Sequence, residues 1–295
     1  MEVPSRIEHF INGEEIKSMY DGNEPQELLT RVPEITVTFW ILKFFTTAMG
    51  ESTSDSLVFH MNPYLAVMLG AIGFVLALGL KLRLQKYTHL SYWLTALMVA
   101  IFGTMAADVL HVAIGIPYID STSFFALMLA AIFTLWYRSE RTLSIHSVNS
   151  TRREIFYWAV VFTTFALGTA AGDLTASTFK LGYFASGILF GILLAIVGAA
   201  YRVSLSFSGN RHKTRNSVIA YWTAYILTRP FGASFADWTD KPVSAGGLGL
   251  GDLRVTLFLS IPIMFLLWLL VTGRVDRRGK TVVVADNSGE AFQAK

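Results

Sequence analysis

From residue 34 onward the chain alternates between long apolar stretches and short polar connections. Eight apolar stretches can be drawn, at residues 34–54, 63–82, 90–108, 121–137, 155–172, 182–201, 217–236 and 254–273. A helix rises about 1.5 Å per residue, so about 20 residues cross a hydrocarbon core about 30 Å thick. Each stretch therefore predicts one transmembrane helix, and the first, third, fifth and seventh are the more polar. Residues 1–33 are polar, with Glu14, Glu15, Asp21, Glu24 and Glu27, and lack the basic start and short apolar core of a signal peptide. They are read as a cytoplasmic amino-terminal extension, residues 34–275 as the membrane domain and residues 276–295 as a cytoplasmic tail.

A second pattern runs through the same segments. Trp40, Trp93, Trp158 and Trp222 each follow an aromatic residue, Phe39, Tyr92, Tyr157 and Tyr221. Ten positions after each tryptophan stands a glycine (Gly50, Gly103, Gly168, Gly232), and fifteen after it an aspartate (Asp55, Asp108, Asp173, Asp237). Fixed spacing of this kind signals repeated structural units. Each unit is a polar helix followed by an apolar one, over residues 34–83, 88–138, 153–202 and 217–274.

Most of the 24 Lys and Arg fall in the amino-terminal extension, in the connections after the second, fourth and sixth helices, and in the tail. Only Lys43, Lys180, Arg229, Lys241 and Arg254 lie elsewhere. Positive charge near helix ends is retained on the cytoplasmic side, so both termini are expected there. Every unit then begins and ends on one side, which makes the units parallel and relates them by an axis along the membrane normal. The expected fold class is an all-α polytopic membrane protein: eight transmembrane helices as four parallel helical-hairpin repeats in a pseudo-fourfold arrangement. Two pseudo-twofold pairs without a common axis are the alternative.

Three groups of residues carry a family resemblance: Phe39-Trp40 with Lys43, Thr47 and Gly50-Glu51; Tyr157-Trp158 with Gly172-Asp173; and Ala236-Asp237-Trp238 followed by the glycine-rich residues 246–251. Together they resemble a bacterial inner-membrane family of unknown function built of four tandem two-helix, Trp-containing repeats. The resemblance spans residues 33 to 275 and implies the architecture and a multi-pass protein of the bacterial cell inner membrane, but no activity. The second unit departs most from the pattern, with Ala107 before Asp108 and no Thr-x-x-Gly approach.

Composition agrees with the membrane reading. The 295 residues are 53% hydrophobic and only 15% charged, against roughly 25% charged in soluble domains; the mean hydropathy is +0.48. A soluble cytoplasmic enzyme is thereby disfavoured. The net charge of +3 is scattered through short connections rather than gathered on one face, which argues against a nucleic-acid partner. Without cysteine there is no disulfide, thiolate metal site or thiol nucleophile.

Fifteen residues of helix place each aspartate about 22 Å from its tryptophan, in the outer part of the membrane. On the first helix Lys43, Thr47, Gly50, Glu51, Ser54 and Asp55 recur at steps of three and four and share one stripe. An ionisable group at such depth faces the bundle interior or water, and marks a functional site by default. The acids Glu51, Asp55, Asp108, Asp173 and Asp237 outnumber the bases Lys43 and Arg229 within these helices. Excess negative charge attracts a cation or holds protons. Carboxylates with hydroxyls suit Mg2+ or Mn2+, and His111 tilts the set toward Mn2+. The opposing reading is structural, each aspartate capping the end of its helix.

Arg229 lies seven residues beyond its tryptophan and Glu51 eleven, an axial gap of about 6 Å if the first and last units adjoin. An Arg229–Glu51 ion pair is expected, with Lys43 closing the inner end of the pathway; the alternative is that the two cations bind an anionic substrate. Residues 246–251 are read as a flexible connection ending in Asp252, the amino-terminal cap of the last helix. The aromatic pairs are read as interface anchors and packing residues, and Gly187 with Gly191 as a close helix contact. The leading expectation is a transporter of a divalent cation with no other cofactor, exchanging protons on the same carboxylates. Its partners are the lipid bilayer and the cation, and a homo-oligomer is compatible. A non-transporting scaffold or sensor is second; without a paired nucleophile and base, an enzyme is not expected.

Overall fold

The structure, a computed structural model, describes residues 30–207 and 210–274. Among them there is no strand. Eight long helices follow in order: α1 (Val37–His60), α2 (Pro63–Leu84), α3 (His89–Asp108), α4 (Tyr118–Glu140), α5 (Thr151–Asp173), α6 (Gly182–Phe207), α7 (Asn210–Asp240) and α8 (Asp252–Val271). Local chemistry sets several of their starts. Thr36, Asn62, Thr88 and Ser150 accept backbone N–H groups of the first turn of α1, α2, α3 and α5 through their side chains. Six of the eight helices are long and apolar enough to cross a membrane, which makes the chain a membrane protein. The two that fall short, α1 and α7, hold Lys43, Glu51 and Asp55, and Arg229, Asp237 and Asp240.

The odd helices form the interior. α1 packs on α3 and α7, and α5 packs on α3 and α7, so the four close a ring. The even helices stand outside it and leave most of their apolar residues uncovered, Leu76, Leu127, Ile192 and Phe258 among them. Their packing is not that of self-contained hairpins. Each even helix lies chiefly on the odd helix that follows it, α2 on α3, α4 on α5 and α6 on α7, while α8 returns to cover α1.

Two kinds of contact repeat around the ring. The aromatic residue before each tryptophan meets the tryptophan of the next unit: Phe39–Trp93 at 5.7 Å between ring centroids, Tyr92–Trp158 at 5.3 Å, Tyr157–Trp222 at 6.0 Å and Tyr221–Trp40 at 5.9 Å. The repeated glycine of each unit lies against the residue seven beyond the next tryptophan. Gly50 touches Ala100, Gly103 touches Phe165, Gly168 touches Arg229 and Gly232 touches Thr47. A methyl group at Gly103 or Gly232 would come within 2.7 Å of Phe165 Cβ or 2.6 Å of Thr47 Cγ2, closer than a Cβ tolerates. The aromatic pairs are therefore buried packing residues more than interface anchors: Phe39, Tyr92, Trp93, Tyr157, Trp158, Tyr221 and Trp222 are all buried.

Arg31 and Val32, assigned by the hydropathy pattern to the amino-terminal extension, are buried in the folded body. Arg31 donates to Glu154 at 3.1 Å, and Lys81 from the end of α2 donates to the same carboxylate at 2.6 Å. Lys81 and Glu154 are fully enclosed. The rest of the extension, 1–29, and the tail from 275 lie outside the described residues.

Candidate functional site

Residues at offsets −1, +3, +7, +11 and +15 from each tryptophan follow one another a turn at a time, each about 40° further round, and so line a slowly winding face of the helix. On the odd helices that face points into the ring, and its layers can be followed from the tryptophan end to the aspartate end. The first is aromatic, with the Tyr92 and Tyr157 hydroxyls 2.5 Å apart. Next comes Lys43, buried, its Nζ 3.5 Å from the centre of the Tyr225 ring and 4.9 Å from that of Phe165. It has no hydrogen-bond acceptor among the described residues. Attraction to the ring faces is its observed compensation.

The middle layer gathers side chains from all four odd helices. Arg229 of α7 donates to Glu51 of α1 at 2.5 Å and to Thr169 of α5 at 2.6 Å, and also reaches Thr104 of α3. Thr104 in turn donates to Glu51 at 3.0 Å. Glu51, Thr104 and Thr169 occupy the same repeat position, eleven beyond their tryptophans. The guanidinium enters from the layer below, its carbon 5.0 Å from the centre of the Phe165 ring, while Nε and Nη1 find no acceptor among the described residues.

The aspartate layer divides into two pairs rather than four equivalent groups. Asp108 and Asp173 stand where α3 and α5 pass into single π turns, Val109–Ala113 and Leu174–Thr178. Neither carboxylate caps its turn, and neither is hydrogen-bonded among the described residues. Both are half-buried and within electrostatic reach of Glu51 and Asp55. Inserted π turns frequently mark functional positions in helices. Asp55 and Asp237 instead lie inside regular helix, beside Asp240 and Lys241. Carboxylate oxygens of Asp55, Asp237 and Asp240 all fall within 4.8 Å of one another. The Lys241 ammonium pairs with Asp55 and lies 3.7 Å from Asp237. Burial disfavours its charge, but Asp237 and Asp55 beside it raise its pKa above the ordinary lysine range, so the amine stays protonated.

His111 is placed away from this oxygen cluster. Its Nδ1 lies 2.7 Å from the Ile116 carbonyl and its ring stacks on Tyr118 with centroids 3.4 Å apart. The π turn after Asp108 swings it onto the start of α4, where it serves the turn. Asp252 also differs from expectation. Gly251 occupies the cap position of α8 and Asp252 falls in the first turn. The preceding glycines form an ordered return rather than a free connection. Leu248 N–H donates to the Trp238 carbonyl at 2.7 Å, Gly249 to Lys241 at 2.8 Å and Gly251 to Asp240 at 3.1 Å. These bonds satisfy carbonyls at the end of α7 that have no partner within the helix. Gly246, Gly249 and Gly251 have φ of 85°, 74° and 81°, where a side chain would be strained.

Asp240, Lys241 and Ser52, which donates to Asp240 at 2.7 Å, were not singled out by the sequence pattern. The available signal was the Asp237, Asp240, Lys241 spacing of three and four, which puts all three on one side of a continuing helix turn. Gly187 and Gly191 do approach α7, the latter with room for a methyl only 3.2 Å from the Phe231 ring. Away from the axis, a cleft of about 1550 Å³ opens near the tryptophan end between α1, α6 and α7, with Trp40, Phe44, His146, Arg202 and Phe231 on its walls.

Residues 91–142, 156–205 and 220–274 match the family model described as Repeat of Unknown Function (DUF347). No curated protein and no solved structure matches the chain.

Proposed function

The chain belongs to the Repeat of Unknown Function (DUF347) family, a membership that assigns no activity, and from its own residues we propose that it moves a divalent cation such as Mn2+ or Mg2+ across a membrane. The observation that carries this reading is the convergence of Glu51, Asp55, Asp108, Asp173 and Asp237 at one end of the ring, two of the carboxylates without a hydrogen bond among the described residues. Hard divalent ions take carboxylate and hydroxyl oxygens, and the Tyr118 and Tyr183 hydroxyls lie within electrostatic reach of the same acids. Protons are the natural exchange partner, since a carboxylate in this setting holds either a proton or the metal.

On this reading all eight helices cross the bilayer. α1 and α7 do so despite their charges because α3, α5, α6 and α8 screen them from lipid. The cyclic aromatic and glycine contacts support a pseudo-fourfold axis along the membrane normal. The distribution of Lys and Arg supports a tryptophan end in the bacterial cytoplasm, with both termini, and carboxylates toward the outside. The filled inner half of the axis, from Tyr92 and Tyr157 to Arg229, then corresponds to a conformation closed toward the cytoplasm.

The same filled half favours the second reading, a scaffold or sensor that never conducts. Reconstituted protein separates the two. Transport predicts saturable, pH-dependent Mn2+ uptake into proteoliposomes that falls at least tenfold in Asp173→Asn or Asp108→Asn protein retaining its native melting profile. Absence of uptake by the wild-type chain sinks the proposal.

A further inference from the structure

Lys241 sits where a bound cation would sit. Its ammonium contacts Asp55 and lies 3.7 Å from Asp237, and their oxygens, with one of Asp240, are mutually within 4.8 Å. Asp240 itself is buried. Ser52 satisfies its Oδ2, while Oδ1 has no hydrogen-bond partner among the described residues. Three carboxylates around one ammonium leave a net negative site with a spare oxygen, a better match for a doubly charged ion than for the single charge it holds.

The backbone of Lys241 is held in place. Lys241 is the first residue after α7, and its carbonyl accepts from Gly249 at 2.8 Å. A side chain at Gly247 would overlap the same carbonyl, so glycine there lets the return pass directly over it. Phe59 at the end of α1 presents its ring 5.5 Å from Nζ. The lysine stem is long and flexible, so the charge can swing away while the return remains folded.

We propose that Lys241 is a tethered counter-cation of a divalent metal site formed by Asp55, Asp237 and Asp240, and that metal enters by displacing it. The inference rests on the cation reading above for the identity of the competitor. It accounts for the glycine-rich return as the element that keeps the competitor at hand. An ammonium held at high local concentration lowers the apparent affinity for the ion it competes with. The wild-type site therefore binds weakly and releases readily.

Mn2+ alone is the probe, titrated calorimetrically into the detergent-solubilised full chain. Lys241→Met is expected to bind Mn2+ at least about tenfold more tightly than wild type, and adding Asp240→Asn to remove that gain. Equal affinity of Lys241→Met and wild type, or a gain that survives Asp240→Asn, overturns the proposal. If Lys241→Met does not fold, the wild-type chain gives the answer through amine acetylation read by mass spectrometry. Lys241 should be acetylated several times faster in millimolar Mn2+ than in its absence, and an unchanged rate overturns the proposal. Binding and transport fail separately. A Mn2+ response of this kind without uptake into proteoliposomes supports the displacement and removes the transport reading, whereas uptake without it removes the displacement alone.

Discussion

Arg229 and Glu51 are the most consequential single residues in the ring, because each is buried and neither charge has water to fall back on. Removing one partner of such a pair leaves an uncompensated charge, which typically costs about 3–5 kcal/mol, whereas removing both can be nearly neutral. Arg229→Met should therefore lower the melting temperature of the detergent-solubilised chain strongly, and the Glu51→Gln/Arg229→Met double variant should recover most of the loss. A double variant as unstable as the single one would mean that Arg229 acts through packing on Gly168 and Phe165 rather than through charge. This pair was legible in the sequence because a helix converts residue offsets into heights, and two heights within reach on neighbouring helices suffice. Lys241 was not legible. It lies just past the last turn of α7, so its spacing of four from Asp237 gives a direction only if the helix turn continues, and the bonds that settle its backbone come from a return whose shape depends on glycines at positive φ.

Among elements, the repeated glycine sets how closely adjacent odd helices approach. A methyl at Gly168 would overlap Arg229 and come within 3.0 Å of Pro230 Cδ, a ring that cannot rotate away. Overpacking of this kind costs about 1–3 kcal/mol. Among the described residues nothing lies within 4 Å of the same atom added at Gly198 on α6, and alanine there should be neutral or stabilising by up to about 1 kcal/mol through helix propensity. Paired melting curves of Gly168→Ala and Gly198→Ala check the contrast, and equal shifts would remove the close-approach argument. The helices themselves, and the division into polar odd and apolar even members, were readable from hydropathy. Which odd helix each even one covers was not. Leu, Ile and Phe surround α2, α4, α6 and α8 on nearly all sides, so the faces turned to protein and to lipid look alike in sequence. The π turns after Asp108 and Asp173 were equally hidden, since one extra residue in a turn leaves the apolar pattern almost unchanged.

For the whole molecule, the cover of α1 by α8 ties the last helix to the first. Helices emerge from the ribosome in order, so on the proposed eight-span reading α1 would enter the bilayer with Glu51 and Asp55 long before Arg229 and Lys241 exist. An unpaired carboxylate at membrane depth is expensive, and before α7 and α8 arrive α1 has only α3 of its three principal neighbours. The chain has no cysteine, so a single Phe59→Cys at the exposed end of α1 can report on its residence. Full-length protein should react from outside with an impermeant thiol reagent, and a chain stopped at residue 207 should react severalfold less. Equal labelling would show that α1 settles on its own. On that reading birth order makes the first helix a guest awaiting the last, and a chain cut short before α7 would carry a leading segment without its permanent seat.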